Sequence, residues 1–421
     1  MKKTRILALL LALVMVLAFA GCGNKTAEEG SSNEKTTDVK IGVILVGDEN
    51  EGYTYAHIDG IKKAAEELNF PADQIIWKYT VPEDESCYDA AADLADKGCS
   101  VVFSNSYGHQ SYMVQAAEDF PEVTFVSMTG DTAAVCGLDN VCNAFTKVFQ
   151  SRYVSGVVAG MKLAELEKDG KLSAANFNAD GKIKIGYVGA FPYAEVVSGY
   201  TAFFLGIKSV VENVSMEVTY TNSWFDITAE GEAANMLVAD GCVIIGQHAD
   251  STGAPAAVQA NLESGKVCYS VGYNVDMLEV APDAALTSAT NTWSVYYKYA
   301  LGCAMNGEKI ATNWAHGYDE GAVAITKLGN SCAEGTAEKV AEVEAAIKDG
   351  SLKVFDISKF TVGGKTVESH KFDFSTMNAD YSAVLYKGPI EEVIVDGCFD
   401  ESSFRSAPYF DLRIDGIVEL Q

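Results

Sequence analysis

From Val39 onward, short apolar runs alternate with stretches whose apolar residues recur at helical spacing. Lys40 to Val46 predicts a strand, and Tyr55 to Leu68 predicts a helix with Ile58, Ile61, Ala65 and Leu68 on one side. Ile75 to Tyr79, Val101 to Ser104 and Val123 to Ser127 predict further strands, with helices over Tyr88 to Ala95 and around Met113 to Glu118 between them. Strands that alternate with helices are joined by right-handed crossovers into a parallel sheet, and strands buried in such a sheet are apolar on both faces. This half of the chain meets both conditions.

The pattern then starts again. After a helix around Val154 to Leu166 and a polar stretch from Lys168 to Gly181, strands are expected at Lys184 to Val188 and near Glu217 to Tyr220, Val243 to Ile245 and Val267 to Val271. Helices near Val196 to Val211, Thr228 to Val238 and Pro255 to Leu262 lie between them. The halves share a plan without a detailed sequence repeat. The alternatives to two similar lobes are one large sheet or two unrelated domains. Val340 to Lys348 is an amphipathic helix. Val354 to Gln421 is rich in turn and strand signals, with Gly363-Gly364 as a hairpin signal, and is expected to pack on the outside of the lobes.

The first residues change the picture from a cytoplasmic protein to an exported one. Lys2, Lys3 and Arg5 precede an apolar run from Ile6 to Ala20, and Phe19-Ala20-Gly21-Cys22 follows the layout of a bacterial lipoprotein signal. Cys22 is then the lipidated residue, residues 1–21 the signal peptide and residues 22–38 a polar tether. The protein is expected on the outer face of the cell membrane. The net charge of −27 argues against nucleic acid as a partner. Nine cysteines follow Cys22, with no CxxC and no zinc spacing; Cys136 and Cys142 are the one close pair that could bridge. No metal and no cofactor is expected.

Open parallel sheets bind ligands at the carboxyl ends of their strands. Those ends carry Gly47 to His57, Asn105 to His109, Gly189 to Tyr193, Asn222 to Asp226, Gln247 to Ser251 and Gly272 to Asp276. Nearly every one sets aromatic rings beside amides, hydroxyls or carboxylates. Flat rings can sandwich a planar ligand while polar groups match its edge, which suits a purine or nucleoside. Each residue also has a plainer role open to it. Asp226 precedes a helix and is expected to cap it, capping competes at Asp250 and Ser251, and His57 and His109 are expected at the polar rim. No nucleophile elbow, Walker loop, zinc-protease motif or dinucleotide fingerprint is present, and the chain is not expected to be an enzyme.

At GYTYAHIDG (Gly52 to Gly60), YVSGVVAG (Tyr153 to Gly160), NSWFD (Asn222 to Asp226), QHADS (Gln247 to Ser251) and GYNVDM (Gly272 to Met277), the chain resembles the basic membrane protein family. These are substrate-binding lipoproteins of ABC importers, the purine-nucleoside group. The resemblance implies a type I periplasmic-binding fold, α/β, with two Rossmann-like lobes joined by three crossovers. It implies an ABC permease as partner and a ligand site of Tyr53, Thr54, Asn105, Phe191, Trp224, Asp250, Ser251, Asn274 and Asn291. Tyr53 takes the place of the aromatic that stacks on the purine, and Thr54 stands where those receptors carry Asn. Trp224 and Phe191 would face Tyr53, and Asp250 would accept from ring or sugar donors. Asn274 replaces an acidic residue expected to bind ribose, and Asn291 replaces a lysine; both departures favour a free base and leave base or nucleoside open.

The expected first lobe spans 39–146 plus about 285–310, and the second 147–284 plus about 311–353, followed by the extension 354–421. The rival functions are a sensory receptor of the same fold for a sugar or signalling molecule, and a nucleoside hydrolase.

Overall fold

Apolar runs that strand propensity and burial both favour appear as two separate sheets in the computed structural model, which describes residues 39–377 and 383–420. The signal peptide, the tether and Cys22 lie outside the described residues. In the first half, β1 (Lys40–Ile44), β2 (Ile75–Lys78), β3 (Cys99–Ser104), β4 (Thr124–Met128) and β5 (Val141–Thr146) alternate with α1 (Gly52–Leu68), α2 (Ser86–Asp96) and α3 (Gln110–Asp119). In the second, α4 (Val148–Lys168) leads into β6 (Ile183–Gly189), α5 (Ala194–Lys208), β7 (Val214–Tyr220), α6 (Ile227–Asp240), β8 (Ile244–Gln247), α7 (Gly253–Glu263) and β9 (Tyr269–Tyr273). Then come β10 (Ala285–Asn291), α8 (Trp293–Asn306), β11 (Asn313–His316), β12 (Val323–Ile325) and α9 (Thr336–Lys348).

The first sheet has the order β11-β5-β4-β3-β1-β2, and the second has β12-β10-β9-β8-β6-β7 followed by the C-terminal strand Ile417–Glu419. All neighbours are parallel except β12 against β10. Stripped of its outer strands, each sheet has the same doubly wound order. The direction of winding reverses between β1 and β3 in one sheet and between β6 and β8 in the other. Crevices open at such reversals.

Two assignments of chain to lobe differ from expectation. Ala285–Asn291, expected in the first lobe, pairs with β9 in the second sheet, with Ser288 opposite Gly272. Asn313–His316, expected in the second lobe, pairs with β5 in the first. Both runs are short and mixed in polarity, and nothing local selects a pairing partner. The strand β5 was not expected as such, because VCNAFT breaks its apolar run with Asn143. That amide is fully buried and satisfied by the chain: Oδ1 accepts from Ala133 N at 2.6 Å and Nδ2 donates to Ser127 O at 3.3 Å.

The chain crosses between the sheets after β5, after β10 and between β11 and β12. The crossings bond to one another: Lys147 N donates to His316 O at 2.7 Å, Thr292 N to Ala322 O at 2.8 Å, and Thr146 Oγ1 to Asn291 Oδ1 at 2.5 Å. Glycine in YVSGVVAG has a packing reason. A Cβ on Gly156 would lie 2.1 Å from Phe203 O, and one on Gly206 would lie 2.1 Å from Tyr153 O, so α4 and α5 touch backbone to backbone. The described cysteines are all free.

The extension is not an outer layer. Phe355, Phe399 and Phe410 are buried in the same cluster as Tyr187 and Phe203 of the second lobe, and Phe355 stacks on Phe410 at 4.4 Å. Its hairpin forms where expected, with Gly363 and Gly364 both at positive φ and Val362 paired with Lys365.

Candidate functional site

The carboxyl ends of the two sheets enclose a cavity of about 570 Å³. From the first lobe, the loop after β1 supplies Asp48 and Glu51, the first turn of α1 supplies Tyr53, the end of β3 supplies Asn105, and the loop after β4 supplies Asp131. From the second, the loop after β6 brings Tyr193, the first turn of α5 Glu195, the loops after β7 and β8 Trp224, His248 and Asp250, and the last residue of β9 Tyr273. These positions follow from the winding of the sheets: β1, β3, β6 and β8 flank the two reversals.

The first-lobe side is a hydrogen-bonded frame. Tyr53 OH donates to Asn105 O at 2.5 Å, Asn105 Oδ1 accepts from Val46 N at 2.8 Å, and Asn105 Nδ2 donates to Thr54 Oγ1 at 3.1 Å. Thr54 in turn donates to Glu51 Oε2. Behind Tyr53, His57 is stacked on Trp293 at 4.4 Å and bonds Tyr297 OH through Nδ1 at 2.7 Å. Burial lowers the His57 pKa to about 3 and keeps the ring neutral.

The second-lobe side is a nest of rings. Phe191 is parallel to Tyr193 with centroids 5.0 Å apart, and its ring meets Trp224 at 5.1 Å and 62°. His248 lies 6.4 Å from Trp224 and 5.0 Å from Tyr273, and its Nε2 bonds Glu195 Oε1 at 2.8 Å. The Arg152 guanidinium sits 3.6 Å over the Tyr273 ring and donates to Gln247 O at 2.5 Å, which holds that ring from behind.

Asp250 is the buried acceptor of this side. Asn274 Nδ2 donates to its Oδ1 at 2.6 Å, and Asp250 N donates to Trp224 O at 2.8 Å. Burial, then the charges of Glu51, Glu230 and Glu195, push its acid well above the usual carboxylate range. Behind it, Glu230 accepts from Asp226 N and Ser251 N, each at 3.1 Å, and so ties NSWFD to QHADS. Burial raises its pKa to about 7. Among the described residues the lining holds five carboxyl groups, Asp48, Glu51, Asp131, Glu195 and Asp250, and one guanidinium, Arg405. Such a wall favours a ligand that presents N–H or O–H donors.

Of the residues expected to hold ligand, Tyr53, Asn105, Trp224 and Asp250 line this cavity; Thr54, Phe191, Ser251, Asn274 and Asn291 stand behind its surface. One step along α1 turns Thr54 about 100° away from Tyr53, into the first-lobe frame. Phe191 backs Tyr193 and Trp224. Ser251 Oγ accepts from Gly253 N at 3.1 Å at the start of α7. Asn274, at φ 61°, orients Asp250, and Asn291 Nδ2, at the end of β10, donates to Asn274 Oδ1 at 3.1 Å. His57 and His109, expected at the rim, are both fully buried; His109 bonds Val81 O through Nε2 at 2.9 Å. Asp226 caps α6 as expected, accepting from Ala229 N at 2.9 Å.

Sequence reading did not select Asp131, Glu195 or Arg405. The strand-end rule that found Asn105 also reaches Asp131, three residues past β4. Nothing local marks Arg405, which arrives from the far end of the chain. Among the described residues no group of side chains could hold a metal ion, and no helix is long and apolar enough to cross a membrane.

Residues 38–357 match the family described as "ABC transporter substrate-binding protein PnrA-like". The chain is 31% identical over 327 residues to a purine-binding protein of Brucella abortus, covering 77% of this chain and 85% of that one. It is 28% identical over 355 residues to a putative ABC transporter glucose-binding protein of Haloferax volcanii, covering 84% and 82%. Its fold is similar to that of an ABC transporter solute-binding protein from Aeropyrum pernix, with a TM-score of 0.62 at 16% identity over 75% of this chain and 93% of that one.

Proposed function

The chain belongs to the PnrA-like family of ABC transporter substrate-binding proteins, whose members serve transport and not catalysis, and from that premise we propose that its cavity takes a purine, as base or nucleoside, for delivery to a membrane permease. One observation carries the reading: Tyr53 of the first lobe and Trp224 of the second share a single cavity, with acceptor-rich walls between them. A planar heterocycle stacked on rings can direct its N–H groups to Asp250 and the other carboxyl groups of the walls. The purine-binding relative supports the ligand class. Asn274 is committed to Asp250 and Asn291 to the crossing strands, so neither is available to a ribose, which favours the free base.

Lobe closure is the proposed mechanism. A ligand that touches both walls stabilises the closed state by its preference for that state, and the closed form docks on the permease. Lipid on Cys22 would hold the protein at the membrane; incorporation of labelled fatty acid that persists in Cys22→Ala would remove that element.

Calorimetry with adenine, hypoxanthine, guanine, adenosine, inosine and glucose tests the ligand, together with mass spectrometry of whatever the denatured protein releases. Binding of a purine with no heat from glucose is the expected result. The glucose-binding relative makes a sugar the second reading, and glucose binding without purine binding would replace the first with it.

A further inference from the structure

The segment beyond residue 357, outside the part of the chain that matches the family, lines the cavity with Phe372, Ser375, Met377, Arg405, Ala407 and Pro408. It is rooted in the second lobe. The strand Ile417–Glu419 pairs with β7, and Tyr200 OH and Tyr220 OH both donate to Glu419 Oε1 at 2.7 Å. Its middle reaches the first lobe. Arg405 Nη1 donates to Asp131 Oδ2 at 2.9 Å, Ser406 N donates to Asn313 Oδ1 at 3.3 Å, and Tyr386 packs against the cluster that holds Val102 and Phe125.

The ion pair is desolvated at both ends, with side chains 8% and 6% exposed. Phe372 and Tyr409 flank the guanidinium at 5.3 and 5.8 Å, and Nε donates to Ala407 O at 3.3 Å. Asp131 is fixed in turn by Tyr107 OH, which donates to the same Oδ2 at 3.1 Å, and by Gln110 Oε1, which accepts from Asp131 N at 2.8 Å. Asp131 Oδ1 is left as a buried acceptor without a partner. A buried acceptor of this kind is costly unless something donates to it.

We propose that the C-terminal segment is a strap that completes the ligand site from outside the two sheets, with Arg405 as its specificity-determining residue. Arg405 fixes the orientation of Asp131 at the cavity wall, where its carboxyl selects a ligand edge with an N–H donor, and it links second-lobe chain to first-lobe chain across the cavity. The ligand part rests on the purine reading; the strap part does not.

Amide exchange followed by mass spectrometry on the purified chain without added ligand tests the strap, in wild type, Arg405→Met and Asp131→Asn. Exchange at least tenfold faster is expected in peptides covering 128–134 and 403–410 in both variants, with peptides of α4 and α5 unchanged as the check on folding. Unchanged exchange in either peptide overturns the proposal. Calorimetry on the same proteins tests specificity. Arg405→Met should weaken adenine binding ten- to a hundredfold and shift the adenine-to-hypoxanthine ratio at least threefold, whereas Arg405→Lys restores the affinity in part. Affinity and ratio within twofold of wild type in Arg405→Met overturn the role of Arg405. A wild-type chain that binds no purine counts against the purine reading, and the exchange result then decides the strap alone.

Discussion

The two walls of the cavity are built by opposite means. On the first-lobe side, Tyr53, Asn105, Thr54 and Glu51 form a chain of hydrogen bonds, each polar group already engaged by the next. On the second-lobe side, Phe191, Tyr193, Trp224, His248 and Tyr273 form a nest of rings in which Asp250 is the buried acceptor. A frame of bonds fixes direction at the cost of spare hydrogen-bonding capacity. A nest of rings offers a large apolar platform that needs no ligand to be formed. On the proposed reading, the difference gives the platform, and so most of the affinity, to the second lobe, and the alignment to the first.

Trp224→Ala is the sharpest way to break this contrast. It removes the ring that meets Phe191 at 5.1 Å and spans the wall toward His248 at 6.4 Å, and it should weaken ligand binding by about 100-fold or more, on the order of 3 kcal/mol. Calorimetry is the measurement. A loss smaller than that of any first-lobe substitution would reverse the assignment.

Glu230 tests whether the second wall depends on its backing. The carboxyl joins the Trp224 loop to the Asp250 loop, and burial raises its pKa from 4.5 to about 7. The folded chain therefore keeps this proton to higher pH than the unfolded chain does. The resulting stability is complete below the unfolded value and is lost as pH rises through the folded one. Between pH 5 and 8 the wild type should lose about 2 kcal/mol relative to Glu230→Gln, which has no proton to release. Denaturant unfolding at several pH values reads this directly, and parallel profiles for the two proteins would show that Glu230 is not what backs the wall.

Tyr53 separates platform from alignment within the first wall. Tyr53→Phe keeps the ring and loses the bond to Asn105 O, at a cost of about 1 kcal/mol in binding. Tyr53→Ala loses both and should weaken binding by about tenfold. If the two variants bind alike, the bond matters and the ring does not, and the first wall then has no stacking role.

How much of this could be read in the chain differs between the same regions. The alternation of KIGVILV, VVFS and KIGYV with helical stretches contained both sheets, because parallel strands carry their burial in their own composition. The strand-end rule then reached Tyr53, Asn105, Trp224 and Asp250. It did not separate lining residues from those behind them, because Tyr53 and Thr54, or Phe191 and Tyr193, differ only in side-chain direction. Asn143 hid β5, since its satisfaction comes from Ala133 and Ser127 and not from its own strand. The placement of β10 and β11 in opposite sheets, and of Arg405 against Asp131 across 274 positions, depends on pairing at long range, for which local spacing carries no signal.

Asp250 gives the smallest expected effect and the finest test of the contrast. Its acid is raised by burial and by Glu51, Glu230 and Glu195, while Asn274 donates to one of its oxygens. A carboxyl raised in this way holds its proton to higher pH than a free carboxylate, and Asn is a close copy of the protonated form. Asp250→Asn should therefore cost only a few-fold in affinity on the acid side of that titration, on the order of 1 kcal/mol. The carboxylate becomes the better acceptor as the proton leaves, so wild-type affinity should rise with pH through the raised pKa while the variant stays flat. The gap between them then widens with pH. A wild type and a variant whose affinities run parallel across the whole pH range in which the chain stays folded would mean that Asp250 does not take a ligand donor, and the second wall would be a platform alone.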